Sequence, residues 1–233
     1  MSKNNSVKRQ ALIVGGMILI ILLVDQFLKI YVKNNFQLGE EHPILGSWFV
    51  MEYIENSGMA FGTSFGNKSW HKLALSVFRI CAVGVLIYYW FKQAKAGMKM
   101  SFLVLLGLII AGATGNLLDS MYFDYYFKYD PCFPYNVQPG SGIWTECDYW
   151  GFKENIETKP RGFLYGNVVD MFKFDATWPK STPWVGGQAV FPAIWNLADF
   201  AISTGIICIL IWNKKFFPKD RKKKNSDQVA DSE

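Results

Sequence analysis

Histidine is almost missing from this sequence: His42 and His71 are the two in 233 residues. No HExxH stretch and no CxxC pair occur, so the ligand spacings of a zinc site are not there. Neither histidine is placed inside a helix beside a candidate serine, which counts against a serine nucleophile served by a histidine base. Charge is scarce as well, with Asp, Glu, Lys and Arg at 18%. No internal repeat or low-complexity domain appears, and the paired halves that build many transporter folds are not visible.

Apolar residues fill the space instead, at 51% hydrophobic and 17% aromatic, the balance of a membrane protein. Four runs, about residues 11–33, 71–92, 99–119 and 194–213, each reach the roughly 20 residues that cross a hydrocarbon layer of about 30 Å. The first could pass for a secretory signal, since Lys8 and Arg9 precede "ALIVGGMILIILLV". No small-residue cleavage pattern follows and the apolar character continues to Val32, so it reads as a retained helix. Four transmembrane helices are expected, in an all-α membrane domain over residues 1–213 with a basic tail at 214–233.

Orientation follows from lysine and arginine, which concentrate on the cytoplasmic side. Lys3, Lys8 and Arg9 precede the first run, Lys92, Lys95 and Lys99 mark the turn between the second and third, and Lys214, Lys215, Lys219, Arg221, Lys222, Lys223 and Lys224 follow the fourth. Both termini are therefore expected in the cytoplasm, with residues 34–70 and 120–193 outside. These flanks supply most of the net charge of +5. Attraction to anionic lipid headgroups accounts for it without a nucleic-acid partner.

The outer stretches "YFDYYFKYDPCFPYN" and "GIWTECDYWGF" mix aromatic rings with turn residues, as an aromatic belt and loops do at a membrane interface. "SWFVMEYIEN" and "GFLYGNVVDMF" read as short strands of a small outer sheet. Cys81 and Cys208 fall in helices as packing residues. Cys132 and Cys147 lie outside, where a disulfide is chemically allowed but two thiols must first meet.

Against this apolar background the acids in the runs stand out: Asp25 in "LIILLVDQFLKIYV", Asp119 at the end of "LIIAGATGNLLD" and Asp199 in "AIWNLADFAI". A central membrane aspartate costs about 2.5 to 3.5 kcal/mol on insertion scales. With the orientation above, all three fall within about 12 Å of the outer surface at 1.5 Å per residue, Asp119 at the outer end of its helix. Residues three or four apart share a helix face, so Asp25 faces Lys29, while Gly112, Asn116 and Asp119 form one stripe and Asn196, Asp199 and Ser203 another. Ala111, Gly112, Ala113 and Gly115 would let a neighbouring backbone come close. A polar pocket inside the bundle is expected. Asp25 and Lys29 read equally well as a structural ion pair.

Asp170 in "GNVVDMF" adds a carboxylate on the outer side. Two acids confined together cannot both ionise readily, so a pair holds one proton between them and can run aspartic-protease chemistry. Two other classes compete. Intramembrane Asp, Asn and Lys also build ion pathways in transporters, but here the acids do not continue toward the cytoplasm. A scaffold using its aromatic cap for assembly leaves the clustered acids unexplained.

The blocks "VDQFLK", "ENSGMAFG", "GATGNLLD", "VVDMF" and "WNLADFAI" together resemble, in order and topological position, the lipoprotein signal peptidases, or signal peptidase II. The resemblance implies an inner-membrane aspartic endopeptidase of bacteria that removes signal peptides from diacylglyceryl-modified prolipoproteins, cutting before the lipidated cysteine. It implies Asp170 and Asp199 as the catalytic pair and Asn56, Gly58, Asn116, Asp119 and Asn196 as pocket residues. Asp25 and Lys29 become structural support. It further implies a small β-cradle and an amphipathic helix on the outer surface, and a prolipoprotein and membrane lipids as partners; no cofactor or metal is expected, since water is the nucleophile, and the sequence does not supply the oligomeric state, a monomer being favoured. Two features depart from the family pattern. Ser120 stands where an arginine usually follows the aspartate, and Arg79, at similar depth in the second run, is the expected replacement, with Arg161 as the competitor. About fifty residues, an insert over 120–168, separate Asp119 from Asp170 where the family's connection is short; it either covers the site or binds a partner.

Overall fold

None of the four long helices contains a proline, so each keeps its backbone hydrogen bonds internal, as a segment in lipid must. The structure is a computed structural model and describes residues 3–57, 68–127, 130–149 and 151–217. In chain order the elements are α1 (Lys3–Asn35), β1 (Glu41–Leu45), β2 (Phe49–Asn56), α2 (Ser69–Lys95), α3 (Met100–Tyr126), β3 (Trp144–Tyr149), β4 (Phe152–Glu157), β5 (Val168–Phe174), α4 (Leu197–Ile211) and the one-turn α5 (Asn213–Phe216). Three helices, over Asn5–Asn35, Trp70–Lys95 and Met100–Tyr126, are long and apolar enough to cross a membrane. Their outward faces carry exposed Leu12, Leu19, Phe27, Phe78, Val85 and Tyr88, the surface expected of a helix solvated by lipid.

Two boundaries differ from the sequence-based expectation. The fourth run, expected over 194–213, becomes a helix of 15 residues, because Asn196 caps it. The Asn196 side chain accepts the Asp199 N–H and the Asp199 side chain accepts the Asn196 N–H, a reciprocal capping box that fixes the start at Leu197. The third helix runs to Tyr126 rather than ending at Asp119, so Asp119 sits two turns inside the bundle. His71 also lies in a helix, in the first turn of α2 against the Trp70 ring; no hydrogen bond joins it to a serine side chain among the described residues.

The helices share two apolar clusters. One, at the end where α2 turns into α3, gathers Val14, Trp90, Phe102, Leu103, Leu106 and Phe216. The other gathers Val32, Tyr53, Phe123, Val169 and Met171 under the sheet. Along α1 the polar residues Asp25 and Lys29 fall between Val14 and Val32, so the buried charges lie between two apolar plugs. Helices α3 and α4 approach closely where small residues were expected: a Cβ on Gly112 would stand 2.2 Å from the Ala198 carbonyl oxygen, and one on Gly115 2.8 Å from Asp25 Oδ2.

Beyond the sheet-side ends of α1, α2 and α3, an antiparallel sheet of order β1-β2-β5 sits on the bundle. Its register places Asn56 opposite Val168, Glu55 opposite Val169 and Ile54 opposite Asp170. The two expected strands are thus neighbours, and β1 was not foreseen. The insert folds into an antiparallel pair, β3 with β4, and Cys132 is joined to Cys147 across 15 residues of sequence. Outside the bundle the described residues contain no α-helix, only the helical turn Pro134–Asn136.

Candidate active site

Backbone pairing brings the two distant acids together. Just past Asp170, the Met171 and Phe172 N–H groups donate to the Trp195 carbonyl at 3.1 and 2.7 Å, and Trp195 N–H returns a bond to Phe172 at 2.9 Å. Trp195 also packs its ring against Phe172, Phe174 and Phe49. The strand carrying Asp170 is therefore zipped to the residue immediately before the α4 cap. Upstream, the Gly166 N–H donates to the Ser120 carbonyl at 3.0 Å, and a Cβ on Gly166 would stand 2.3 Å from the Asp119 carbonyl oxygen. Only glycine lets β5 enter this close to α3.

Asn196, fully buried, is the link between the acids. Its Nδ2 donates to Asp170 Oδ1 at 2.6 Å, and its Oδ1 accepts the Asp199 N–H at 2.9 Å. The other oxygen of Asp170 accepts from Asn56 Nδ2 at 3.1 Å. Asp199 accepts from Asn116 Nδ2 at 2.8 Å on Oδ1 and from the Asn196 N–H at 3.4 Å on Oδ2. Burial first, then the nearby charge of Asp199, pushes the Asp170 carboxyl up to about 7, against the Asn56 and Asn196 amides that favour its charged form.

A second layer lies beneath. The Lys29 ammonium, 0% exposed, contacts Asp25 Oδ2 at 2.9 Å, Asp119 Oδ2 at 2.8 Å and Asn116 Oδ1 at 2.9 Å, so its three donors meet three acceptors. Asp25 turns its other oxygen to the Ala198 N–H of α4 at 3.0 Å, satisfying a first-turn donor at the positive end of that helix. Asp119 accepts the Val169 N–H at 3.4 Å. Gln26, not singled out in the sequence, donates to Asp119 Oδ1 at 2.8 Å and to the Gly115 carbonyl at 3.3 Å. Helix α1 thus reaches α3, α4 and, through Asp119, β5. Nothing but its one-residue offset from Asp25 marked Gln26 in advance.

Arg79 donates from Nη1 to Ser120 Oγ at 2.9 Å, so its guanidinium lies beside Ser120. Arg161 instead donates to the Asp124 carbonyl at 3.0 Å. Gly58 lies outside the described residues. Ser203, on the expected stripe with Asn196 and Asp199, enters none of these hydrogen bonds.

A cavity of about 1330 Å³ opens beside Asp170 and Asn56 on the sheet side. The insert supplies one of its walls: Tyr135 OH donates to the Glu55 carbonyl, and Lys159 Nζ sits 3.3 Å from the centre of the Tyr135 ring. The Glu55 side chain is held by Lys33, by Tyr53 OH at 2.6 Å and by Asn167 Nδ2 at 3.1 Å. Burial alone would raise this carboxyl, but the Lys33 ammonium with the two neutral donors holds it below the usual carboxylate range. Glu55 was not singled out in the sequence.

Apolar helices close around two acids tied through one asparagine, in a membrane-embedded protein. A family model described as signal peptidase (SPase) II matches residues 17–214. The chain belongs to that family and is a lipoprotein-processing peptidase of the signal peptidase II type. Among its relatives, a lipoprotein signal peptidase of Porphyromonas gingivalis is 36% identical over 208 residues, 87% of this chain and 83% of the relative. One from Amoebophilus asiaticus is 32% identical over 227 residues, 94% of this chain and 84% of the relative. Two solved structures of bacterial membrane enzymes superpose with TM-scores of 0.53 and 0.52, at 16% and 18% identity, over 89% and 85% of this chain and 93% and 90% of theirs. At that identity the likeness shows the fold.

Proposed function

We propose that this chain is an intramembrane endopeptidase that cuts diacylglyceryl-prolipoproteins immediately before the lipidated cysteine, with Asp170 and Asp199 as the catalytic pair. The observation that carries the reading is the Asn196 bridge, 2.6 Å to Asp170 and 2.9 Å from the Asp199 N–H, together with an Asp170 carboxyl raised to about 7. In the first step Asp199 takes a proton from water as the hydroxyl oxygen adds to the scissile carbonyl carbon, and Asp170 gives its proton to the carbonyl oxygen. The tetrahedral adduct then collapses: the C–N bond breaks, the proton on Asp199 passes to the leaving nitrogen, one hydroxyl of the adduct returns its proton to Asp170, and the signal peptide departs as a carboxylic acid.

Asn56 and Asn196 orient Asp170, Asn116 orients Asp199, and Asp25 with Lys29 and Asp119 holds the helices that carry them. Arg79 supplies the cation that the residue after Asp119 lacks. Helix α4, continued by α5, makes the fourth crossing; both termini face the cytoplasm of a bacterial inner membrane, and the sheet forms a cradle on the outer face. The substrate's acyl chains then lie in the outer leaflet, the bond to be cut lies at the depth of the acids, and water enters from outside.

The test is cleavage of a diacylglyceryl-modified prolipoprotein by the purified protein in lipid nanodiscs, read by mass spectrometry. The expected product begins at the lipidated cysteine. No cut, or a cut elsewhere, removes the proposal, and ion-dependent flux without proteolysis would favour a transporter.

A further inference from the structure

The cavity beside Asp170 holds a cation that the cutting step does not use. Lys72, half-buried in the first turn of α2, lines the cavity and donates from Nζ to the Ser57 carbonyl at 2.8 Å. Among the described residues no salt bridge reaches it. The carboxylates that share the cavity have other donors: Glu55 pairs with Lys33, Asp124 Oδ2 accepts the Gly162 N–H at 3.1 Å, and Asp130 Oδ1 accepts the Cys132 N–H at 2.9 Å. Residues 58–67, which lead into α2, contain no Asp or Glu, so no carboxylate can come from them.

An ammonium in this position is poorly served by its own protein. It stands at the N-terminal turn of a helix, whose dipole repels a cation, and an ammonium has three protons to donate where one acceptor is met among the described residues. Lys68, exposed and one turn earlier, lines the same cavity. Lys72 is tied to the strand that serves the site: the carbonyl it binds belongs to Ser57, the neighbour of Asn56, whose amide is on Asp170. The cavity walls come from the sheet-side ends of α1, α2 and α3, from β2 and from the insert. In the proposed orientation these ends face the outer side, where the chain after the cut site leaves the bilayer.

We infer that this cavity seats the substrate residues that follow the lipidated cysteine, and that Lys72, with Lys68, binds an acidic side chain among them. The inference rests on the proposed cleavage reaction. Asp170 and Lys72 line the same cavity, and an extended chain advances about 3.3 Å per residue, so an acid a few residues beyond the cut is carried along that cavity away from Asp170. A phospholipid headgroup offers an anion of similar chemistry, but the cavity is continuous with Asp170, where a peptide must already lie, and this favours the peptide.

Three diacylglyceryl-modified precursors, identical except for Asp, Ala or Lys at the second to fourth residues after the cysteine, test it in nanodiscs of zwitterionic lipid. Wild type is expected to cleave the acidic precursor with kcat/KM about tenfold above the alanine one and further above the lysine one. The ratio is expected to collapse toward one in Lys72→Gln, to return in Lys72→Arg and to invert in Lys72→Glu; because it compares substrates on one protein sample, partial misfolding cancels. Equal kcat/KM for all three precursors on wild type overturns the inference while leaving the cleavage reaction standing. A wild-type preference that persists in Lys72→Gln, or appears only when anionic lipid is added, overturns it too. Failure to cut any precursor removes the cleavage reading itself, and the inference with it.

Discussion

Replacing Lys29 with methionine should expose how much of the fold hangs on one buried cation. The side chain is 0% exposed and its ammonium lies 2.8 to 2.9 Å from Asp119, Asp25 and Asn116. Methionine fills much of the volume but leaves two buried carboxylates with amide and backbone donors alone, from Gln26, Ala198 and Val169. Removing one partner of a buried pair costs about 3 to 5 kcal/mol, and here one cation serves two acids, which places the loss at the upper end. A chain of this size loses about 2 to 4 °C per kcal/mol, so thermal unfolding in detergent, followed by tryptophan fluorescence, should drop by about 10 to 20 °C. Adding Asp119→Asn removes one uncompensated charge and should restore part of the loss, a coupling that a double-mutant cycle reads directly. A Lys29→Met protein that melts within about 2 °C of wild type, or a double variant that falls by the sum of the singles, would show that Lys29 does not hold the two acids in the fold.

The raised Asp170 carboxyl sets a pH dependence. Its acid form, held up to a pKa of about 7, is lost as pH rises through that value, so kcat/KM should fall on the alkaline side. Asn56→Ala, which removes a donor to the charged form, should move that limb to higher pH, and an unmoved limb would take Asn56 off Asp170. The same shift bears on stability: the folded protein binds more protons than the unfolded chain between about pH 4 and 7, so this group's contribution declines as pH rises across that window by a few kcal/mol. Gly112→Ala should destabilise by about 1 to 3 kcal/mol through collision with the Ala198 carbonyl; Gly84→Ala, with nothing within 4 Å of the new Cβ, should leave the melting temperature unchanged or higher. Arg79→Gln should lower kcat/KM about 10- to 100-fold at unchanged melting temperature, and unchanged activity would show that the guanidinium on Ser120 does no work in turnover.

What could be read from the sequence was what period and burial dictate. The apolar runs, the Asp25–Lys29 pair at one helical turn, the close-packing glycines of α3 and the two strands that became β2 and β5 follow from local rules. The start of α4 was misread because hydropathy is blind to a cap: Asn196 looked like an interruption of the run and is its boundary. The depth of Asp119 was misjudged for the converse reason, since aromatic residues carried α3 two turns past the last aliphatic stretch. The Asn167 bond to Glu55 and the insert's docking through Tyr135 join residues 80 or more positions apart, which no spacing rule encodes. The Cys132–Cys147 bridge belongs with these, because only the fold brings two thiols within reach.

The proposed cleavage requires Asp170 and Asp199 to act as one catalytic unit. Its most direct test is turnover of a lipidated precursor by Asp170→Asn and Asp199→Asn, each checked for a wild-type melting temperature. Both isosteric changes should reduce cleavage by about 100-fold or more, the scale of a lost general acid or base. Near-wild-type cleavage by either folded variant would contradict it.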